Sequence, residues 1–131
     1  MGITLSLFQL RGPDELRQTR VTPVHVLKFP SNWGLFEQIE GPHANESTPI
    51  IVRTRPIPPG MKVELPFDAG GDEEQQWEDE SPVLGVGRLT YTMAGDLKRL
   101  QLPEDAPYMH RAILAFIAHL PDVTPIILYW H

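Results

Sequence analysis

At 131 residues, 41% of them apolar and 21% charged, the chain is long enough for one domain with a sizeable core and lies outside the composition of disordered segments. The formal net charge of −6 comes without any basic stripe, which argues against nucleic-acid binding, because neutralising phosphates carries most of that affinity. Cysteine is absent, so there is no disulfide framework and no thiolate chemistry; no run approaches the roughly 20 apolar residues of a membrane span, and a cytoplasmic location fits best.

Met1-Gly2-Ile3-Thr4-Leu5-Ser6 formally fits the acylation pattern M-G-x-x-x-[ST]. The simpler reading is a half-buried first strand, since Ile3, Leu5 and Leu7 alternate with Thr4 and Ser6. This start has neither the basic leader nor the length of a signal peptide. Gly12-Pro13 ends the strand, and Asp14 to Gln18 suits one helical turn. Val21 to Phe29 is expected as a second strand, with Pro23 putting its beginning at a sheet edge because proline cannot donate to a ladder.

Ser31 or Asn32 caps a short helix from Trp33 to Glu40, which Gly41-Pro42 stops. Trp33, Phe36 and Ile39 face the core in this reading, and 42–49 is a polar loop. Ile50 to Arg55 is a third strand carrying Arg53 and Arg55 on one face, and Met61 to Leu65 a fourth. Between Lys62 and Arg88 lie Glu64, Asp68, Asp72, Glu73, Glu74, Glu78, Asp79 and Glu80 with no cation, while the rest of the chain is close to neutral. Residues 66–82 are therefore read as a mobile acidic loop; a connection of that length is unusual and points to function or mobility. Val83 to Tyr91 is a fifth strand with Gly85 and Gly87 suggesting a bulge, and Thr92 caps a helix to about Gln101.

The last quarter supplies the strongest structural signal. Met109, Ile113, Phe116, Ile117 and Leu120 form the stripe of an amphipathic helix, with the small residues Ala112, Ala115 and Ala118 opposite, suggesting contact on more than one side. Pro121 stops it, and Val123 to Trp130 is a buried strand rich in β-branched and aromatic residues. The expected architecture is a single α+β domain spanning 1–131: one mixed or mostly antiparallel sheet of about five to six strands with three helices packed on it.

No catalytic constellation stands out. The serines lack the G-x-S-x-G elbow, Gly85-Val86-Gly87 is too short for a dinucleotide fingerprint, and no histidine pair has the i, i+4 spacing of a zinc site. Asn45-Glu46-Ser47 is a formal glycosylation sequon with nothing to suggest secretion. No cofactor or metal is expected.

NWGLFEQIEG, residues 32–41, resembles the segment RNYxLFAxLAGVR of a group of small bacterial and phage proteins without an assigned activity. Those proteins open on an MGCDIH-like strand, where this chain has Met1-Gly2-Ile3-Thr4-Leu5-Ser6. Their RGLPxD segment is similar to Arg55-Pro56-Ile57-Pro58-Pro59-Gly60, their TLxEL helix to Thr92–Leu97, and their terminal apolar strand to Ile126–Trp130. The cysteine, aspartate and histidine of the opening motif are missing here, as is the D-G-H-S stretch before the helix, so the resemblance implies an architecture and any activity of those polar residues is lost.

The leading functional expectation is a small binding module, an inhibitor or immunity-type protein, whose partner presents a basic surface to Asp72, Glu73, Glu74, Trp77, Glu78, Asp79 and Glu80. An alternative is a ligand-binding protein or enzyme with a pocket where Arg53, Arg55, His25 and Trp33 converge, the arginines holding a phosphate or carboxylate. A third is a homodimer or larger homo-oligomer, formed if the terminal strand ending Tyr129-Trp130-His131 lies at a sheet edge.

Overall fold

The computed structural model describes residues 4–64, 76–78 and 89–130. Its main sheet has five strands: β1 (Leu5–Gln9), β3 (His25–Phe29), β4 (Arg55–Pro56), β7 (Thr90–Met93) and β8 (Pro125–Trp130). Their order is β3-β1-β8-β7-β4, and every neighbouring pair is antiparallel. Three strands, β2 (Arg20–Val21), β5 (Lys62–Glu64) and β6 (Gln76–Glu78), form a second small sheet in the order β2-β5-β6. The helices are α1 (Trp33–Phe36), α2 (Ala94–Leu97) and α3 (Tyr108–Ala118), with a 3₁₀ turn at Pro13–Arg17. This is the α+β class expected from the sequence: a mostly antiparallel sheet with three helices, beside which the small second sheet is an addition.

The main sheet is covered on both faces. Leu5, Leu7, Phe29, Ile126, Leu128 and Trp130 pack with Leu35, Phe36, Leu97, Ile113 and Ile117 of the helices. On the other face Phe8, Leu10 and Ile127 meet Val21, Met61, Val63, Ile57 and Leu89 around the small sheet. This explains why residues 125–130 read as a continuous apolar run rather than an alternating one: both faces of β8 are out of water.

β8 is also paired along both sides, Leu5 to Gln9 of β1 running opposite Trp130 to Ile126, and Thr90 to Met93 of β7 opposite Leu128 to Pro125. The terminal strand is thus central, not at an edge, and the ground for homo-oligomerisation through it is removed. The outer strands of the main sheet are β3 and β4.

Several boundaries move for identifiable reasons. Residues 21–29 are not one strand: Pro23 has no N–H to give a ladder, and the chain passes there from the small sheet to the main one. The helix at Trp33 covers only Trp33–Phe36, with Asn32 as its cap accepting from the Leu35 N–H at 3.2 Å. The expected strand 50–55 reduces to an isolated parallel bridge between Val52 and Ile39, followed by β4. The helix after β7 stops at Leu97, and its cap is Met93. The Thr92 hydroxyl instead donates to the Arg53 carbonyl at 3.1 Å, tying β7 to the stretch that leads into β4.

The buried side of α3 is also rotated from the expected stripe. His110, Ile113 and Ile117 are buried, Met109 is 48% exposed, and Ala112, Ala115 and Ala118 face outward. The helix therefore contacts its neighbours on one side. His110 takes a core position because its ring stacks on Phe29, centroids 5.3 Å apart, and its Nε2 lies 3.2 Å from the Pro30 carbonyl. No helix among the described residues is long and apolar enough to cross a membrane.

Candidate functional site

Arg53 and Arg55 come together, although only Arg55 lies in β4. Arg55 stands opposite Tyr91 in the β4–β7 ladder, and both arginines line a hollow of about 330 Å³ together with Tyr91, Thr92, Met93 and Asp96. Arg53 is oriented by Glu40, whose Oε2 is 3.5 Å from the guanidinium and whose Oε1 accepts the Thr54 N–H at 2.9 Å. The Arg55 side chain has no ion pair or hydrogen bond among the described residues, its backbone being paired in the ladder. Asp96 sits across the hollow, one carboxylate oxygen accepting from the Thr92 hydroxyl at 3.3 Å. Such a place offers two planar cationic forks, one acceptor, and an apolar wall from Tyr91 and Met93.

The other two members of the expected pocket are elsewhere. His25 is on β3, the opposite outer strand of the main sheet from β4, where its Nδ1 lies 2.9 Å from Gln9 Oε1 and its ring meets Phe116 edge-on. Trp33 is half exposed on α1 and packs edge-on against His43. The four residues do not converge: only the arginines share a site. Strand order decides this, and local sequence does not encode it.

Tyr91, Thr92, Met93 and Asp96 were not singled out as lining residues. Their signal was present in part, since Thr92 and Asp96 are four apart at a strand-to-helix junction, the spacing at which a hydroxyl and a carboxylate meet.

Of the acidic segment, Asp72, Glu73, Glu74, Asp79 and Glu80 lie outside the described residues, as do Gly85 and Gly87. Trp77 and Glu78 fall in β6, the outer strand of the small sheet, with Trp77 opposite Val63 and Glu78 opposite Lys62. The acidic run is thus joined to the body of the protein by a ladder at its middle. Beside it, Glu64 of β5 pairs with Arg20 at 3.2 Å.

A histidine nest not anticipated from the sequence lies after α1. His43 stands among Trp33, Phe36 and Trp130, with centroids 5.1, 6.4 and 5.1 Å away, and its Nε2 is buried without a hydrogen-bond partner among the described residues. Burial in this apolar setting pushes its pKa below the ordinary 6.5, since the charged ring loses water and gains no counter-charge. Among the described residues no group of three or more His, Asp and Glu side chains is placed to hold a metal ion. No protein-family model, curated protein or solved structure matches this chain.

Proposed function

We propose that the chain is a small cytoplasmic protein-binding module of bacterial or phage origin, an inhibitor or immunity-type protein, that recognises a basic protein surface through Asp72, Glu73, Glu74, Trp77, Glu78, Asp79 and Glu80. The observation that supports this reading most is the position of β6. It is the outer strand of its sheet and lies in the middle of the most acidic stretch of the chain. A one-signed surface of this kind raises the encounter rate with an oppositely charged partner and makes that rate fall with ionic strength.

The test is a kinetic one. Once a basic partner has been captured from the host at low salt and purified, its association rate is measured against ionic strength for the wild-type chain and for D72N/E73Q/E74Q/E78Q/D79N/E80Q. The reading expects about a tenfold or larger slowing in the neutralised variant and a much flatter salt dependence. Equal rates and affinities for the two proteins reject it.

A second reading, small-ligand binding, is favoured by one observation: Arg53 and Arg55 share a hollow with Tyr91 and Asp96. It is compatible with the first, because β4 and β6 belong to different sheets.

A further inference from the structure

The hollow between β4, β7 and α2 has a composition that narrows its occupant. Resting on the small-ligand reading, we propose that it binds a small carboxylate that also carries a hydrogen-bond donor and an apolar side group, the chemistry of an apolar amino acid or its hydroxy-acid analogue.

Three features converge on that class. Guanidinium groups are planar forks that match a carboxylate bidentately, and the Arg55 guanidinium lines the hollow with no side-chain partner among the described residues. Arg53 is steadied by Glu40 at a single 3.5 Å contact, which leaves most of its donors free to turn toward the hollow. The second feature is Asp96. Its carboxylate lies in the same lining, with one oxygen held by the Thr92 hydroxyl and the other without a partner among the described residues. A bare dianion such as phosphate would be repelled by it, whereas a ligand bearing an amine or hydroxyl beside its carboxylate would be held at both ends.

The third feature is size and wall. At about 330 Å³ the hollow is at the small end of ligand sites, and the half-buried Tyr91 and Met93 give it an apolar side suited to an aliphatic or aromatic group. Thr92 joins the pieces: its hydroxyl lies within hydrogen-bond distance of both the Arg53 carbonyl and Asp96 and donates to one of them at a time, so that the stretch leading into β4 and the helix α2 are set relative to each other before anything binds. Such preorganisation cuts the ordering cost of binding.

The experiment is a titration of the full chain, followed by amide and methyl NMR shifts, with four probes: L-phenylalanine, phenyllactate, phenylpropionate and inorganic phosphate. Phenylalanine and phenyllactate are expected to saturate with shifts centred on Tyr91, Met93 and Asp96, phenylpropionate to bind at least about fivefold more weakly, and phosphate to give no saturation. R55Q should weaken phenylalanine about tenfold or more, as loss of one charged bidentate contact implies. D96N should erase the preference for phenylalanine over phenylpropionate while leaving phenylpropionate binding intact. Both substitutions are at surface-accessible positions, and their unchanged spectra elsewhere verify the fold. The proposal is overturned if none of the three organic acids binds below about 10 mM, a threshold near −3 kcal/mol, or if phosphate competes equally. The same holds if R55Q and D96N leave all four titrations as they were. Loss of partner binding in the neutralised acidic variant would be unaffected by any of these outcomes, so the two readings fail separately.

Discussion

His43 and Trp130 meet edge to face, with ring centroids 5.1 Å apart and planes inclined at 69°. Trp33 approaches the same imidazole from another direction, also at 5.1 Å, so two of the three tryptophans flank one titratable ring. The folded state holds His43 below the ordinary 6.5, whereas the unfolded chain takes up its proton near that value. Stability from this site is therefore complete above 6.5 and is lost as the pH falls below it, because the unfolded state then binds more protons. The denaturant midpoint should drop between about pH 7 and about pH 5, together with a change in tryptophan emission, and H43L should flatten both. Parallel pH profiles for the wild type and H43L would show that the nest does not titrate in this way.

Gly41 leads into that nest with φ at +155°, and a Cβ placed there would come within 3.2 Å of Trp130 Nε1. Gly60 also has positive φ, +80°, but among the described residues nothing lies within 4 Å of an added Cβ. G60A should cost about 1–2 kcal/mol from backbone strain alone. G41A should cost about 1–3 kcal/mol and should also shift the Trp130 indole resonance, which G60A leaves in place. Chemical denaturation and the indole N–H spectrum check both.

Gln38 fastens the end of α1 to the chain beyond α2. Its Nε2 donates to the carbonyls of Gly34 at 2.8 Å and Gln101 at 2.7 Å, and its Oε1 accepts the Gln101 N–H at 2.9 Å. Q38L should destabilise by about 1–3 kcal/mol, because the Gly34 and Gln101 carbonyls and the Gln101 N–H lose their partner at a buried side chain. Q38E should be worse near neutrality, with a carboxylate facing two carbonyl oxygens, and should recover as it is protonated in acid. A Q38E whose stability is independent of pH would contradict the geometry.

Core position separates two apolar residues near the C-terminus. Leu128 is fully buried in β8, and L128A should cost about 2–5 kcal/mol. Val123 is 59% exposed, and V123A should stay within about 0.5 kcal/mol of the wild type. Equal losses at the two sites would place the centre of the core elsewhere.

What was legible in the sequence is what periodicity can express. β1 and β8 follow from alternation and from a run of β-branched and aromatic residues, and α3 from its apolar stripe. The buried stripe differs from the apolar one by a position because His110, polar by type, is accommodated by stacking on Phe29 and by the Pro30 carbonyl. The break at Pro23 was hidden by continuous β-propensity on either side, and the move of the chain from one sheet to another has no local signature. At the candidate site Arg53 and Arg55 line one hollow, although the strand formed there, β4, does not include Arg53. The separation of His25 is not written in local spacing, because strand order is set by long-range pairing: β1 and β8 stand between β3 and the strands that carry the arginines' hollow.

The β1–β8–β7 ladder is the scaffold, and the proposed binding sites lie at the charged periphery. Native-state hydrogen exchange of backbone amides tests this most directly. Ile126, Ile127 and Leu128, buried and paired on both sides, should be among the slowest amides and should exchange only through global unfolding, with the short ladder of β5 and β6 opening at lower free energy. If Gln76 to Glu78 were protected more strongly than Ile126 to Leu128, the assignment of scaffold and periphery would be reversed.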